Sequence, residues 1–259
     1  MGAALTACRP LTEGVPWRIY SSNRKRKSMH FRKQGIITVV LALFFAPVLP
    51  RLAAQDLKSV LAKLDASATT FRASSADFEY DITVTDPIPD TDVQKGAVYY
   101  ERKGSGFESG VHINQVNGKP APKVIVFAGG VLRIYDKLQD QVTTFSKAGQ
   151  YESYLALGFG ASGKDLVQKF SVKYLGSETV SGVKTEKLEL VAKDPDVLKY
   201  FPKITVWMDT ARGVSLKQVF DQGQGQLRTC NYSNIKLNQP VPSDAFTFET
   251  DRKTQFSKQ

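Results

Sequence analysis

The stretch SADFEYDITVTDPIPDTDVQKGAVYYERKGSG, residues 75–106, decides the fold. Ala76, Phe78, Tyr80, Ile82 and Val84 alternate with Asp77, Glu79, Asp81 and Thr83, which puts apolar side chains on one sheet face and polar ones on the other. PIPD (87–90) turns the chain. KGAVYYER (95–102) then resumes the alternation with Val98 and Tyr100 on one face, and ends on Arg102 beside glycines. The carboxylates of DFEYD share a face, as alternation on a solvated sheet surface produces without any catalytic purpose.

The same period continues downstream through FESGVHINQV, the hairpin signal NG, KVIVF, VLRIY and QVTTF. Late in the chain come FSVKYLG, KTEKLELVA, KITVWMD, VSLKQVF, LRTCNYSNIKL and FTFE. Roughly eleven strands joined by hairpin-length turns imply a large antiparallel meander. Two segments break it. Residues 149–170, GQYESYLALGFGASGKDLVQKF, carry an apolar side without a strand period, and DPDVLKYFPK (194–203) reads as a short helical turn with Pro195 near its start. Upstream, QDLKSVLAKLDASATTF (55–71) spaces Leu57, Val60, Leu61, Leu64 and Phe71 for one amphipathic helix, with Asp56 as its expected N-cap. The expected class is α+β, mainly β: an incomplete, strongly curved antiparallel β-barrel of about eleven strands covered by a few lid helices. A sheet of that width that does not close must curl, and its concave face becomes a cavity.

The formal charge of +10 is unevenly placed. Residues 1–54 hold nine Lys/Arg and one acidic residue, which leaves 26 basic and 24 acidic for the rest, a net of +2. Nucleic acid as a partner is not expected of so balanced a domain. The basic run RKRKSMHFRK precedes GIITVVLALFFAPVLPRLAAQD, the order of a secretory signal, with cleavage expected after Ala54 and Met29 as the expected true start. A spanning helix needs about 20 apolar residues, and Pro47, Pro50 and Arg51 interrupt this run. LTAC (5–8) looks like a lipidation box, but the few residues before Cys8 carry no positive charge and no apolar region, so chance accounts for it. Residues 1–54 are therefore read as leader and signal peptide, and residues 55–259 as one exported domain with the single cysteine Cys230 and no internal disulfide.

Catalytic motifs are missing: there is no G-x-S-x-G, H-E-x-x-H or C-x-x-C, and His112 is the one histidine of the expected domain. Enzymatic activity, a metal site and a cofactor are accordingly not expected. GFGASGKD (158–165) imitates a phosphate loop, yet it lacks a preceding strand and a parallel βαβ frame, and Asp165 would repel a phosphate. No nucleotide is expected; the segment reads as a flexible hinge in a mobile lid.

Taken together, DLKSVLAKL after a signal-like stretch, GAVYYER ending in Arg102, AGGVLRIYDK, ITVWMDTARGVSLKQVF and SNIKLNQPVPSDAFTF make the chain resemble the periplasmic outer-membrane lipoprotein carrier family (LolA-like) from about Asp56 to Phe248. The resemblance implies an incomplete antiparallel barrel covered by helices. It also implies a periplasmic, cofactor-free and non-enzymatic monomer that shelters acyl chains of lipoproteins and shuttles them from inner to outer membrane. Its expected partners are lipoproteins, an inner-membrane lipoprotein-releasing transporter and an outer-membrane acceptor; the alternative is a carrier or sensor of another lipid or glycolipid on the same fold. The residues alone give Arg102 as a solvated strand-end arginine; the resemblance implies a latch donating to lid carbonyls, a role its rigid fork of donors suits. Cavity candidates are Phe78, Tyr80, Ile82, Val98, Tyr100, Ile134, Trp207 and Val219 on strands, with Leu57, Leu61, Leu155, Leu157 and Phe159 on helices; ordinary core is the competing reading for all of them.

Overall fold

The computed structural model describes residues 49–259 apart from 87 and 105. The expected start at Met29, the Cys8 reading and most of the 1–54 leader lie outside the described residues. Helix α1 (Leu49–Thr70) leads into β1 (Ala73–Val84), β2 (Asp90–Lys103), β3 (Gly106–Val116), β4 (Lys119–Ala128), β5 (Val131–Asp136) and β6 (Gln141–Phe145). A crossing segment follows, made of a 3₁₀ turn (Gly149–Tyr151), α2 (Glu152–Leu155) and α3 (Gly163–Lys169). The chain continues as β7 (Phe170–Val180), β8 (Val183–Ala192), α4 (Pro195–Leu198), β9 (Lys203–Asp209), β10 (Val214–Gly223), β11 (Gln226–Leu237) and β12 (Gln255–Lys258). No helix among the described residues is long and apolar enough to cross a membrane.

All twelve strands form one curved, open sheet in the order β12-β6-β5-β4-β3-β2-β1-β11-β10-β9-β8-β7. Two meanders, β1–β6 and β7–β11, are sewn together where β1 pairs antiparallel with β11, Phe78 opposite Tyr232 and Tyr80 opposite Cys230. The alternation of β1 sets its faces as the sequence requires: Phe78, Tyr80 and Ile82 look into the concave side, and Asp77, Glu79 and Asp81 away from it.

β6 and β7 are consecutive strands, yet nine others stand between them in the sheet. The segment between them must therefore traverse the concave face, and it becomes a roof. α1 packs beside it on α3 and β7. Under this corner Leu64, Leu157, Leu166, Phe170, Leu188, Leu190, Ile204, Val206 and Met208 form one buried cluster, each worth about 1.5–3 kcal/mol in transferred apolar surface. A second cluster gathers Phe71, Phe78, Val98, Tyr100, Phe159, Val214 and Cys230.

The C-terminal segment runs over the convex side, where the carbonyl of Ala245 lies so near Gly110 that a Cβ there would come within 1.8 Å of it. That cover explains the unbroken apolar run VIVF of β4: Val124 and Val126 are buried on the convex face, and Ile125 lines the concave one.

Three local expectations differ from the structure. FTFE (246–249) is not a strand, because Phe248 instead packs its ring 5.2 Å from that of Tyr135. The twelfth strand is QFSK, which adds to β6 in parallel and makes the sheet mixed at one edge. Asp56 does not cap α1, which begins at Leu49.

The glycines of GFGASGKD are packing positions, not hinges. Gly158 and Gly160 have φ of +83° and +73°, and a Cβ at Gly160 would stand 2.4 Å from the Phe71 ring. Backbone bonds pin the segment to the β9–β10 turn: Ser215 N–H donates to Gly158 O at 2.7 Å and Gly160 N–H to Gly213 O at 3.3 Å. Asp165 completes a capping box with Ser162 at the start of α3.

Gly163 meets α1, where an added Cβ would lie 2.4 Å from the Leu61 carbonyl oxygen. Gly163→Ala, a change that helix propensity alone favours, is expected to destabilise the fold by about 1–3 kcal/mol in urea unfolding, through forced separation of α1 from α3. A gain in stability would show that the two helices are not in contact there.

Candidate functional site: an apolar cavity under the crossing segment

Between the concave face and its roof lies a cavity of about 540 Å³. β1 contributes Phe78, Tyr80 and Ile82, and β2 contributes Gln94, Val98 and Tyr100. Val111, Ile113, Ile125 and Leu132 extend the wall across β3, β4 and β5. The opposite wall is Ile204 of β9, Gln218 and Phe220 of β10, and Arg228, Cys230 and Tyr232 of β11. Tyr151, Tyr154 and Leu155 look down from the roof, and Val197, Tyr200 and Phe201 from α4 and the residues after it. Both strand walls follow from the period of two on β1 and β11 and from the register that places those strands side by side.

One end is closed by aromatic packing. Phe159, fully buried, stacks on Tyr100 with ring centroids 4.3 Å apart and meets Tyr232 edge-on at 4.9 Å. The other end reaches solvent at Tyr200, which lines the cavity and is 61 % exposed. There Ile82 opposes Arg228, Arg228 opposes Phe220, and Phe220 opposes Ile204.

The roof is tied to the sheet by side chains that grip its backbone. Gln218, buried on the floor, donates from Nε2 to the Leu157 carbonyl at 2.6 Å, and its own Oε1 accepts from the Tyr232 hydroxyl at 3.2 Å. Arg102 donates from Nε to the carbonyl of Phe71 at 3.4 Å and from a terminal nitrogen to that of Gly160 at 3.2 Å, with its guanidinium 4.7 Å from the Phe107 ring centroid. Glu152 of α2 reaches the opposite way, accepting from the Phe107 N–H at 2.7 Å. The sheet therefore holds α2, the loop after it and the end of α1 at three separate points.

The interior is apolar enough to shift its titratable groups. Burial raises the Tyr100 and Tyr232 phenols, and pushes the Cys230 thiol up to about 12. Burial likewise raises Tyr80, against the pull of the neighbouring Arg228. The hydroxyl of Tyr154 is buried with no protein partner. Among the described residues no group of three His, Cys, Asp or Glu is placed to hold a metal.

Of the residues the sequence proposes for the cavity, Phe78, Tyr80, Ile82, Val98, Tyr100 and Leu155 are on its wall. Leu157 and Phe159 are buried in the two core clusters, and Leu57 packs against the first from its margin. Leu61 stays on α1 beside Gly163. Ile134 opposes Ile125 on the concave face but lies beyond the lining. Trp207 and Val219 belong to the other face: Trp207 donates from Nε1 to Glu178 at 2.7 Å, and the ammonium groups of Lys187 and Lys217 stand 4.7 and 5.0 Å from its ring. The sequence reading did not reach Gln218, Glu152, Arg228 or Tyr232. A signal existed for two of them, since Arg228, Cys230 and Tyr232 share a face by alternation. Gln218 and Glu152 carry none, because their partners are main-chain atoms distant in sequence.

A larger groove of about 980 Å³ lies on the convex side under Gln239–Pro242, but Asp77, Arg212 and Lys236 line it, and a charged lining cannot keep hydrocarbon dry. The Cys230 thiol offers a direct report on the apolar cavity. A thiol at about 12 is ionised to only about one part in ten thousand at pH 8. Iodoacetamide at pH 8 is expected to leave Cys230 unmodified in the native protein and to modify it fully in guanidinium chloride, read by peptide mass spectrometry. Native modification at the rate of an exposed cysteine would mean the cavity is open water.

Comparison with known proteins places this geometry. The uncharacterized protein MJ0687 of Methanocaldococcus jannaschii is 32% identical over 126 residues, which cover 48% of this chain and 35% of that protein. The match thus spans about a third of that relative's length. Among solved structures, an uncharacterized conserved protein from Thermus thermophilus superposes with a TM-score of 0.50 at 10% identity, over 79% of this chain and all of that one. A putative outer membrane lipoprotein-sorting protein domain from Vibrio parahaemolyticus aligns with a TM-score of 0.42 at 15% identity, covering 75% and 97% of the two chains. Residues 107–249, from the start of β3 to the C-terminal segment, match the outer membrane lipoprotein carrier protein LolA family, and the chain belongs to it.

Proposed function

We propose that this chain is an exported carrier that takes the acyl chains of lipoproteins into the cavity and moves them through the periplasm from inner to outer membrane. The observation that carries this reading is the cavity itself, a hollow walled by aliphatic and aromatic side chains where a packed core would otherwise be. Family membership supports a carrier role without bond chemistry. Residues 1–54 supply the leader and cleaved signal of this reading, and residues 55–259 the carrier domain. Its partners are the lipoproteins, a releasing transporter in the inner membrane and an acceptor in the outer one, and the carrier works as a monomer.

The physical need is plain. Each methylene exposed to water costs about 0.8 kcal/mol, so one long acyl chain costs on the order of 10 kcal/mol to carry bare across an aqueous space. A carrier must also let go, which favours a loosely complementary hollow over a tight one. Arg102 serves as latch: opening the roof requires its guanidinium to release the carbonyls of Phe71 and Gly160. A second reading, a carrier of another lipid on the same fold, draws on the cavity's size, since about 540 Å³ is small for several chains at once.

Gentle purification of the exported protein, followed by mass spectrometry of co-purifying lipid, is expected to find acyl-chain ligand or acylated protein. Recovery of neither, together with no uptake of added lipid, would end the carrier reading. Arg102→Leu is expected to cost about 1.5–3 kcal/mol of closed-state stability and to alter loading or release in donor-to-acceptor transfer. Unchanged transfer kinetics would remove Arg102 from the mechanism.

A further inference from the structure

The cavity wall contains one charged residue. Of the 23 residues that line it, only Arg228 carries a charge, and among the described residues no carboxylate forms an ion pair with it. Its Nε donates to Gln222 Oε1 at 2.5 Å, which fixes the plane of the guanidinium. Burial raises the Tyr80 phenol beside it, which keeps that group a neutral hydrogen-bond donor. Gln94, directly opposite Tyr80 across β1 and β2, completes a polar collar at the end of the cavity that reaches solvent. The far end holds the stacked Tyr100 and Phe159, and the one cation near it, Arg102, lies outside the lining and is bonded to the carbonyls of Phe71 and Gly160.

A half-buried guanidinium facing an apolar hollow is costly unless something pairs with it. Among the described residues no anion stands on that wall, and an anionic head on the ligand would supply the charge partner. A guanidinium fork matches a carboxylate or a phosphate, binding either through two parallel N–H donors. We propose that the open end of the cavity is an oxyanion site, in which Arg228, with Tyr80 and Gln94, takes the carboxylate or phosphate head of a single-chain amphiphile whose tail fills the hollow. Capacity agrees with a single chain: about 540 Å³ holds roughly 18 groups of the size of a water molecule, near 30 Å³ each. The polarity of the two ends fixes the orientation, head at the collar and tail toward Tyr100. This rests on the reading that the cavity shelters acyl chains, and adds to it a preference for what the chain carries.

The test is calorimetric titration of delipidated protein, at neutral pH and below micelle formation, with dodecanoate, dodecyl phosphate and dodecanol. The tail is constant and only the head changes. Wild type is expected to bind at least one of the two anions about tenfold or more tighter than the alcohol, as charge-assisted hydrogen bonds require. Which anion is preferred separates a fatty-acid source from a phospholipid source. Arg228→Gln is expected to abolish that preference while keeping the affinity for dodecanol, which also shows that the variant is folded and its cavity intact. Equal affinity for all three in wild type, or a preference that survives in Arg228→Gln, overturns the oxyanion site and leaves the acyl-chain reading standing. Failure of every ligand to bind wild type overturns both.

Discussion

The structure depends on one topological constraint: β6 and β7 follow each other in the chain but stand on opposite sides of the sheet, with nine strands between them. A connection across that distance cannot be a hairpin. It must pass over one face, and curvature makes the concave face the shorter route. The hollow thus follows from connectivity rather than from defective packing.

What keeps the hollow from collapsing is the distribution of large side chains. At the corner under α1 and α3, Leu188, Leu190, Ile204, Val206 and Met208 meet Leu64 and Leu166 in one buried cluster, with Ile204 at its border with the cavity. Across the middle of the concave face the wall residues are Tyr80, Tyr100, Tyr151, Tyr154, Phe201 and Phe220, rings that stack and tilt against neighbours and hold their walls apart. Collapse would also drive the half-exposed guanidinium of Arg228 further from water. That penalty opposes closure.

Much of this was legible in the residues. Period-two alternation defined β1 through β11, the departure from it in 149–170 marked the crossing segment, and Asp194–Pro195 marked α4. Faces were harder. On β9, KITVWMD is apolar on both sides, so nothing in the stretch itself says that Ile204 and Val206 look inward while Trp207 lies under Lys187 and Lys217. On β10 the answer was available: Lys217 and Val219 share a face, which argues for the outside. Bulges between Tyr174 and Gly176, Ser215 and Lys217, and Ile113 and Gln115 shift register in ways a regular alternation cannot show. The short parallel strand QFSK has no pattern of its own and exists because the C-terminal segment delivers it to an unpaired edge. The glycines of GFGASGKD misled because spacing alone does not separate a glycine that bends from one that merely leaves room for Phe71 or Leu61.

The side-chain hydrogen bonds that attach the roof are all of one kind, and they add to the burial of Leu157 and Phe159 at its far end. Arg102, Gln218 and Glu152 each join a side chain to a main-chain carbonyl or N–H. No roof side chain is consumed in these bonds except Glu152, so Tyr151, Tyr154 and Leu155 remain free to line the cavity. Such bonds are exchanged for water when the roof lifts, and each is worth about 0.5–1.5 kcal/mol net when neutral and about 1.5–3 when one partner is charged. Breaking these bonds therefore costs a few kcal/mol. Burying a methylene returns about 0.8 kcal/mol, so the first several carbons of an entering chain offset the opening, and the rest are bound with the roof already up. A roof fixed along its whole length by interdigitated leucines, as it is only at Leu157 and Phe159, would resist with the full burial of each side chain, and the first carbons of an entering chain would not offset that.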